Sequence, residues 1–419
     1  MSWDSSWVRT SLPWPLVRLK DHVDLTNGFP FDSARFNPSV GTPVIRIRDL
    51  LTGTTQTYFE GHVPPEVMVG HGDLLIGMDG DFNAATWTGE PAALNQRLCL
   101  IRAGPSIEQR YLGYVIPFPL KAINDVTIWT TVKHLSSLDL LAERIPLPPL
   151  AVQRAIADYL DRKTARIDAL IEKKQAAIEL LDARWLSDLC SRLLFVDTHS
   201  PPLYWTRRAM EGWTLIPLKR LLARVWAGDW GAEPGTEKID LPCVRAADFD
   251  FSLLESTSGV DRSFTISSAT VRSLLGGDLI IEKSGGGDGV QVGRVVAWRG
   301  SEPAMPTNFA GAMRPAPMFD PEFVLLVFRA AYEIGLPWRS IKQTTGLQNL
   351  DMGHYLAHRW PVPPIEQQRL AASQLLEALQ EIRLTQRKLQ KQISLLQEHR
   401  QALITAAVAG ELEIPGVAA

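Results

Sequence analysis

Pro146-Leu147-Pro148-Pro149-Leu150-Ala151-Val152-Gln153-Arg154 and Pro361-Val362-Pro363-Pro364-Ile365-Glu366-Gln367-Gln368-Arg369 are one pattern written twice. Shared prolines followed by Gln-Arg at fixed spacing define an internal repeat. Working outward, other landmarks recur in the same order. Leu19-Lys20 returns as Leu218-Lys219, and Val44-Ile45-Arg46-Ile47-Arg48-Asp49-Leu50 as Cys243-Val244-Arg245-Ala246-Ala247-Asp248-Phe249. Gly72-Asp73-Leu74-Leu75-Ile76 returns as Gly277-Asp278-Leu279-Ile280-Ile281, and Asn95-Gln96-Arg97 as Thr307-Asn308-Phe309. One Gly-Asp-Leu pair carries nothing; five landmarks in a single order make the 419 residues two similar halves.

Each half opens with a stretch rich in Gly, Pro and Thr, with short β-branched runs at 44–47, 98–101 and 290–296. Such runs read as short strands joined by turns. Each half closes differently. After Pro148-Pro149 and Pro363-Pro364, proline is absent until Pro201 and Pro415, and glycine until Gly212 and Gly410. Proline suits a helix start, and the uninterrupted run beyond it suits a long helix. Leu375, Ile382, Leu389, Leu396 and Leu403 recur every seven residues, flanked by Leu379 and Ile393. In the first helix Leu160, Ile167 and Leu181 hold the aligned line, with Lys174 between them and Ile171, Ile178 and Trp185 beside it. A sustained heptad with polar residues between is a coiled-coil seam. Ordinary amphipathic helices packed on globular cores are the competing account. The expected fold is α+β, with β-rich portions at 1–147 and 196–361, long helices at 148–195 and 362–410, and a tail at 411–419.

Composition excludes several classes. Hydrophobic residues make up 45% and charged residues 21%, as in an ordinary globular protein. No apolar run approaches the ~20 residues needed to cross a bilayer, and Met1-Ser2-Trp3-Asp4 does not open a signal peptide. A soluble, cytoplasmic protein with no membrane partner is expected. Cys99, Cys190 and Cys243 lie far apart, and no CxxC pair or HExxH is present, so no metal site is expected. The net charge of −3 excludes a uniformly polybasic nucleic-acid binder, though not one with segregated charge.

With these motifs in view, the chain resembles the DNA-specificity subunit of Type I restriction–modification systems. The resemblance rests on the duplication, on the Pro-Pro-[Leu/Ile]-x-x-Gln-Arg opening of each helix, and on the run Leu403-Ile404-Thr405-Ala406-Ala407-Val408-Ala409-Gly410-Glu411-Leu412. It implies two target recognition domains separated by helices that pair as an antiparallel coiled coil, with pseudo-two-fold symmetry. It further implies double-stranded DNA, two methyltransferase subunits and, through the complex, restriction/translocase subunits as partners. S-adenosylmethionine, ATP and Mg²⁺ would sit on those partners, with no cofactor on this chain and no catalysis by it. The two halves have diverged outside their landmarks, so an asymmetric bipartite target with an unread spacer is expected. Helix length would act as the ruler.

Candidate DNA contacts follow from residue chemistry. Arg reads guanine, and amides read adenine or hold phosphate. The candidates are Arg46, Arg48, Asn95, Gln96, Arg97, Thr131, Lys133 and His134 in the first half. In the second they are Arg245, Lys283, Thr307, Asn308, Gln348 and Asn349. Structural pairing with Asp49 or Asp248 is an equal account of Arg46 and Arg245. Thr307-Asn308-Phe309 keeps only the Asn of Asn95-Gln96-Arg97. Lys283-Ser284-Gly285-Gly286-Gly287-Asp288-Gly289 lacks a P-loop ending and reads as a hairpin loop. Asp278 is expected in a turn before a strand. No amino-methyltransferase or helicase motif is found.

A non-catalytic coiled-coil scaffold carrying two ligand-binding domains shares the duplication without DNA specificity. A gel shift of the chain with its methyltransferase partner separates the two. DNA binding that weakens steeply with salt is expected; its complete absence in low salt would favour the scaffold.

Overall fold

The computed structural model describes residues 12–126, 133–194, 212–285, 291–344 and 347–415. The chain divides into two compact units, one formed by Met1–Glu172 with Ile393–Ala419, the other by Lys173–Gln392. Two helices of 45 residues each, α4 (Leu150–Leu194) and α8 (Ile365–Ala409), contribute a segment to each unit. No helix among the described residues is long and apolar enough to cross a membrane.

In the first unit an antiparallel sheet runs in the order Val23–Asn27, Leu98–Ala103, Leu74–Gly77, Ala84–Thr86. A second sheet pairs Thr42–Ile45 in parallel with Ala92–Leu94. Helices α1 (Gln109–Val115), α2 (Pro117–Val126) and α3 (Ser137–Ala142) follow. Strand Arg144–Pro146 then pairs back onto Leu16–Arg18 immediately before α4. The chain thereby closes on its own beginning before the helix leaves.

The second unit repeats this plan. Leu222–Ala227, Ala310–Pro315, Leu279–Glu282 and Val295–Trp298 form neighbouring antiparallel strands, and Ile239–Val244 runs parallel to Met305–Pro306. Helix α5 (Ile266–Arg272) is an addition; α6 (Pro321–Glu333) and α7 (Met352–Ala357) follow the sheet. Strand Arg359–Val362 pairs back onto Thr214–Pro217 before α8. A further hairpin, Ile341–Thr344 with Leu347–Leu350, carries Ser284–Gly285 on its edge.

The junctions are built identically. A proline at the helix start donates no backbone hydrogen bond, and a carbonyl buried beside it must find a side-chain donor. Gln153, fully buried, donates from Nε2 to the Pro148 carbonyl at 2.7 Å, while its Oε1 accepts the Glu108 N–H at 2.8 Å. Gln368, equally buried, donates to the Pro363 carbonyl at 2.8 Å and accepts the Asp320 N–H at 3.0 Å. Glu108 and Asp320 are the N-caps of α1 and α6, so each glutamine ties a domain helix to the foot of a long one. At the far end of α8, Gly410 takes φ 75°. The Glu411 N–H then bonds back to the Ala406 carbonyl, a left-handed stop that glycine makes without strain.

The long helices also complete the globular cores. In the first unit Ile156, Ala157, Leu160, Ile404, Ala407 and Val408 pack with Tyr111, Leu112, Leu140 and Ile145. In the second, Trp185, Leu189, Leu375 and Leu379 pack with Phe323, Phe328, Tyr355 and Trp360. Of the heptad residues, Leu160, Ile167, Leu375 and Ile393 are buried; Ile178, Leu181, Ile382, Leu389, Leu396 and Leu403 are half-buried. Polar pairs interrupt the apolar line and run antiparallel within each unit. Arg400 bonds Asp168 at 2.9 Å in the first unit. In the second, Lys174 donates to Gln392 and the Gln386 amide to the Ile178 carbonyl. Arg383 meets Asp182, Trp185 Nε1 donates to the Leu375 carbonyl, and Arg192 donates to Gln374. Of these, the Gln386 and Trp185 contacts are buried, the kind that fixes register at some cost in stability.

Replacing Gln153 or Gln368 by Leu strands a buried N–H and a carbonyl, at a cost of about 1–3 kcal/mol for each buried group left unsatisfied. Urea unfolding of either variant should show a clearly lowered midpoint; an unchanged midpoint would mean the joint is not a stabilising contact.

Candidate nucleic-acid interface

Three loops converge at one edge of the first unit's sheets. The Met78 N–H donates to the Arg97 carbonyl, the Leu135 N–H to the Met78 carbonyl and the Gly80 N–H to the Lys133 carbonyl. This lacing gathers Asn95, Gln96, Arg97, Lys133 and His134, far apart in sequence, around a residue that sequence reasoning missed: Asp79. Its Oδ1 lies 2.8 Å from His134 Nδ1, and its Oδ2 lies 3.3 Å from an Arg97 nitrogen. Lys133 Nζ is turned aside, donating to the carbonyl and side-chain oxygens of Asn124. Thr131 lies outside the described residues.

Arg46 borders the same edge, since the Asn95 N–H donates to the Ile45 carbonyl. Its guanidinium lies over the Phe36 ring at 5.9 Å, while its own N–H donates to the Asp49 carboxylate. Arg48 is exposed, 3.7 Å from Asp49 and within reach of Thr57.

The second unit builds the same edge from different groups. The Lys283 N–H donates to the Phe309 carbonyl, and the Leu350 N–H to the Lys283 carbonyl. These bonds equate Lys283 with Met78, Ser284 with Asp79, Phe309 with Arg97 and Asn349 with His134. They also keep the register in which the sequence aligns Asn95-Gln96-Arg97 with Thr307-Asn308-Phe309. The Thr307 N–H donates to the Val244 carbonyl as the Asn95 N–H does to Ile45, so Asn308 stands where Gln96 does. The shared Asn is therefore not at a shared position. Ser284 Oγ donates to Asn349 Oδ1 at 2.6 Å. Lys283 is half-buried, and burial holds its ammonium pKa below the usual lysine value.

Two candidates turn inward. Gln348 is buried and its Oε1 accepts the Val292 N–H, and Thr307 is buried beneath its turn. Arg245 forms a two-pronged pair with Asp248 at 3.0 and 2.8 Å, which engages two of its five N–H donors. Of the Lys283 loop, residues 286–289 lie outside the described residues, as do Thr345 and Gly346.

Behind each edge the backbone is crowded. A Cβ on Gly28 would lie 2.0 Å from the Asn95 carbonyl oxygen, and one on Gly228 would lie 2.1 Å from the Pro306 and Thr307 oxygens. Matching acids brace the sheets. Asp73 binds the Arg102 fork at 3.0 and 2.7 Å, and Asp278, in the turn before its strand, binds Arg314 at 2.7 Å twice. Burial pushes the Asp73 carboxyl up, but Arg102 and the Gly70 amide outweigh it and hold it below the ordinary value.

A second feature missed from sequence is a histidine pair four residues apart. His354 Nδ1 and His358 Nε2 both reach Ser340 Oγ, at 2.8 and 3.4 Å. Burial, and then His354 and Arg339, lower the pKa of His358. Among the described residues no group of three or more His, Cys, Asp or Glu side chains is placed to hold a metal.

Residues 12–180 match the family model described as Type I restriction modification DNA specificity domain. The Type I restriction enzyme EcoBI specificity subunit of Escherichia coli is 46% identical over 158 residues, 37% of this chain and 33% of that protein. The match thus spans about a third of that relative's length. A solved structure described as the basis of complex assembly and conformational transition of the type I R-M system is 19% identical, with a TM-score of 0.69 over 96% of this chain and 100% of that one. That likeness is one of fold. The HsdS subunit from Thermoanaerobacter tengcongensis is 18% identical, with a TM-score of 0.48 over 97% and 100% of the two chains.

Gly28→Ala should push the 95–97 turn outward, at a strain cost of about 1–3 kcal/mol. Thermal stability should fall in this variant. An unchanged melting temperature would mean that the turn yields to the methyl group without cost.

Proposed function

We propose, from the match of residues 12–180 to the Type I restriction modification DNA specificity domain, that the whole chain is the non-catalytic specificity subunit of such a system. The carrying observation is the repeated plan of the second unit, down to the Gln153 and Gln368 joints. A second domain with the same scaffold and a different loop edge is suited to reading a different sequence. The target is then asymmetric and bipartite, one half read by the domain within 1–147 and the other by the domain within 196–361. Candidate contacts are Arg46, Arg48, Asn95, Gln96, Arg97 and His134 for one half, and Lys283, Asn308 and Asn349 for the other.

The partners are double-stranded DNA, two methyltransferase subunits docked on outward helix faces, and restriction/translocase subunits joined through them. Those partners hold S-adenosylmethionine, ATP and Mg²⁺ and carry out adenine methylation and cleavage in the cytoplasm. The helices set the spacer. Lys174 lies against Gln392, so one heptad inserted after Lys173 and one after Gln392 keeps the seam in phase. Seven residues add roughly 10 Å, or about three base pairs. Methylation mapping in cells expressing the variant should return the same half-sites with a spacer longer by about that amount; the original spacer would reject the ruler.

A further inference from the structure

We propose that Arg97 reads a guanine in the first half-site, with Asp79 as the residue that positions it, and that the second domain has no counterpart. This deepens, and rests on, the specificity-subunit reading above.

The Asp79 side chain is 21% exposed, whereas Arg97 and His134, bound to its two oxygens, are each 56% exposed. The acid is set below the surface and two donors stand above it. Exposed ion pairs add little stability, so stability alone does not account for the cluster. A guanidinium is planar, and the ion pair at one of its nitrogens, 3.3 Å from the Asp79 carboxylate, restricts where the others stand. The rest of the fork then matches the O6 and N7 acceptors of guanine, and prior fixing reduces the entropy lost on binding.

The loop that supplies Asp79 is held firmly. Phe82 is buried at φ 51°, a left-handed conformation that a bulky residue adopts only when its surroundings impose it. Gly77 N–H to Asn83 carbonyl, and Gly80 N–H to Lys133 carbonyl, close the loop on both sides. Arg46, which borders this edge, lies on Phe36, and Arg102, at the opposite ends of the same strands, is spent on Asp73 and the Met68 carbonyl. Among the described residues, the contact recorded for the Arg97 side chain is with Asp79.

In the second domain the corresponding places hold Ser284 for the carboxylate, exposed Phe309 for the guanidinium and Asn349 for the imidazole. Among the described residues no charged fork stands at these three places, so the Arg97 contact has no counterpart in the second domain.

The test uses the chain assembled with its methyltransferase partner, acting on duplex libraries randomised in each half-site. Arg97→Ala should reduce discrimination at a single guanine of the first half-site by roughly ten- to a hundred-fold and leave the second half-site unchanged. Arg97→Lys keeps the charge but not the fork and should not restore it. Asp79→Asn should weaken discrimination at that same position, by less than Arg97→Ala does, and leave the second half-site unchanged. A uniform loss across all sequences, or full rescue by Arg97→Lys, would make Arg97 a phosphate contact and overturn the proposal. If the unaltered complex is specific and Arg97→Ala leaves every position unchanged, this inference alone fails. If the unaltered complex shows no sequence preference, the specificity-subunit reading fails with it.

Discussion

Two buried amides hold the architecture where each domain meets its long helix. Where a β-rich domain gives way to a long helix, prolines remove backbone donors and leave carbonyls without a ladder. Gln153 and Gln368 each satisfy such a carbonyl and, with the other end of the same side chain, a domain-helix N–H. Glutamine is the residue for this because it carries donor and acceptor on one planar group. A carboxylate would lack the donor, and an apolar residue would lack both. The strands Arg144–Pro146 and Arg359–Val362, each paired with the start of its domain, bring the prolines to the same place in both halves.

From that joint the long helices do two jobs. Their ends are core elements, as Trp185 and Leu375 in one unit and Leu160 and Val408 in the other are buried among domain residues. Their polar contacts, among them Gln386 with the Ile178 carbonyl and Arg400 with Asp168, oppose sliding within each unit. A purely apolar seam would tolerate alternative registers, which these contacts disfavour. The laced loops at each edge share a backbone frame and differ in their side chains.

Much of the frame was legible in the sequence because it depends on local rules. Proline-proline starts, the absence of glycine and proline, and the ordered landmarks belong to individual segments and survive duplication. The chemistry of the edge was less legible because it is tertiary. Asp79 is an ordinary aspartate before Gly80 until the fold brings Arg97 and His134 to it. Gln348 has the right chemistry for a base contact, but strand alternation turns it inward to Val292. The heptad pattern located the helices. It ranked Leu389 and Leu396 with the seam, whereas Leu189 and Leu379 are more deeply buried, because the helices pack on globular cores as well as on each other.

The central claim is that one chain carries two unlike readers on a common scaffold. Single-molecule methylome sequencing of cells with and without this gene, in the presence of the methyltransferase partner, tests it most directly. The account predicts gene-dependent adenine methylation at one motif of two different short halves separated by a constant unread gap. A palindromic or uninterrupted motif, or no gene-dependent motif at all, would contradict it.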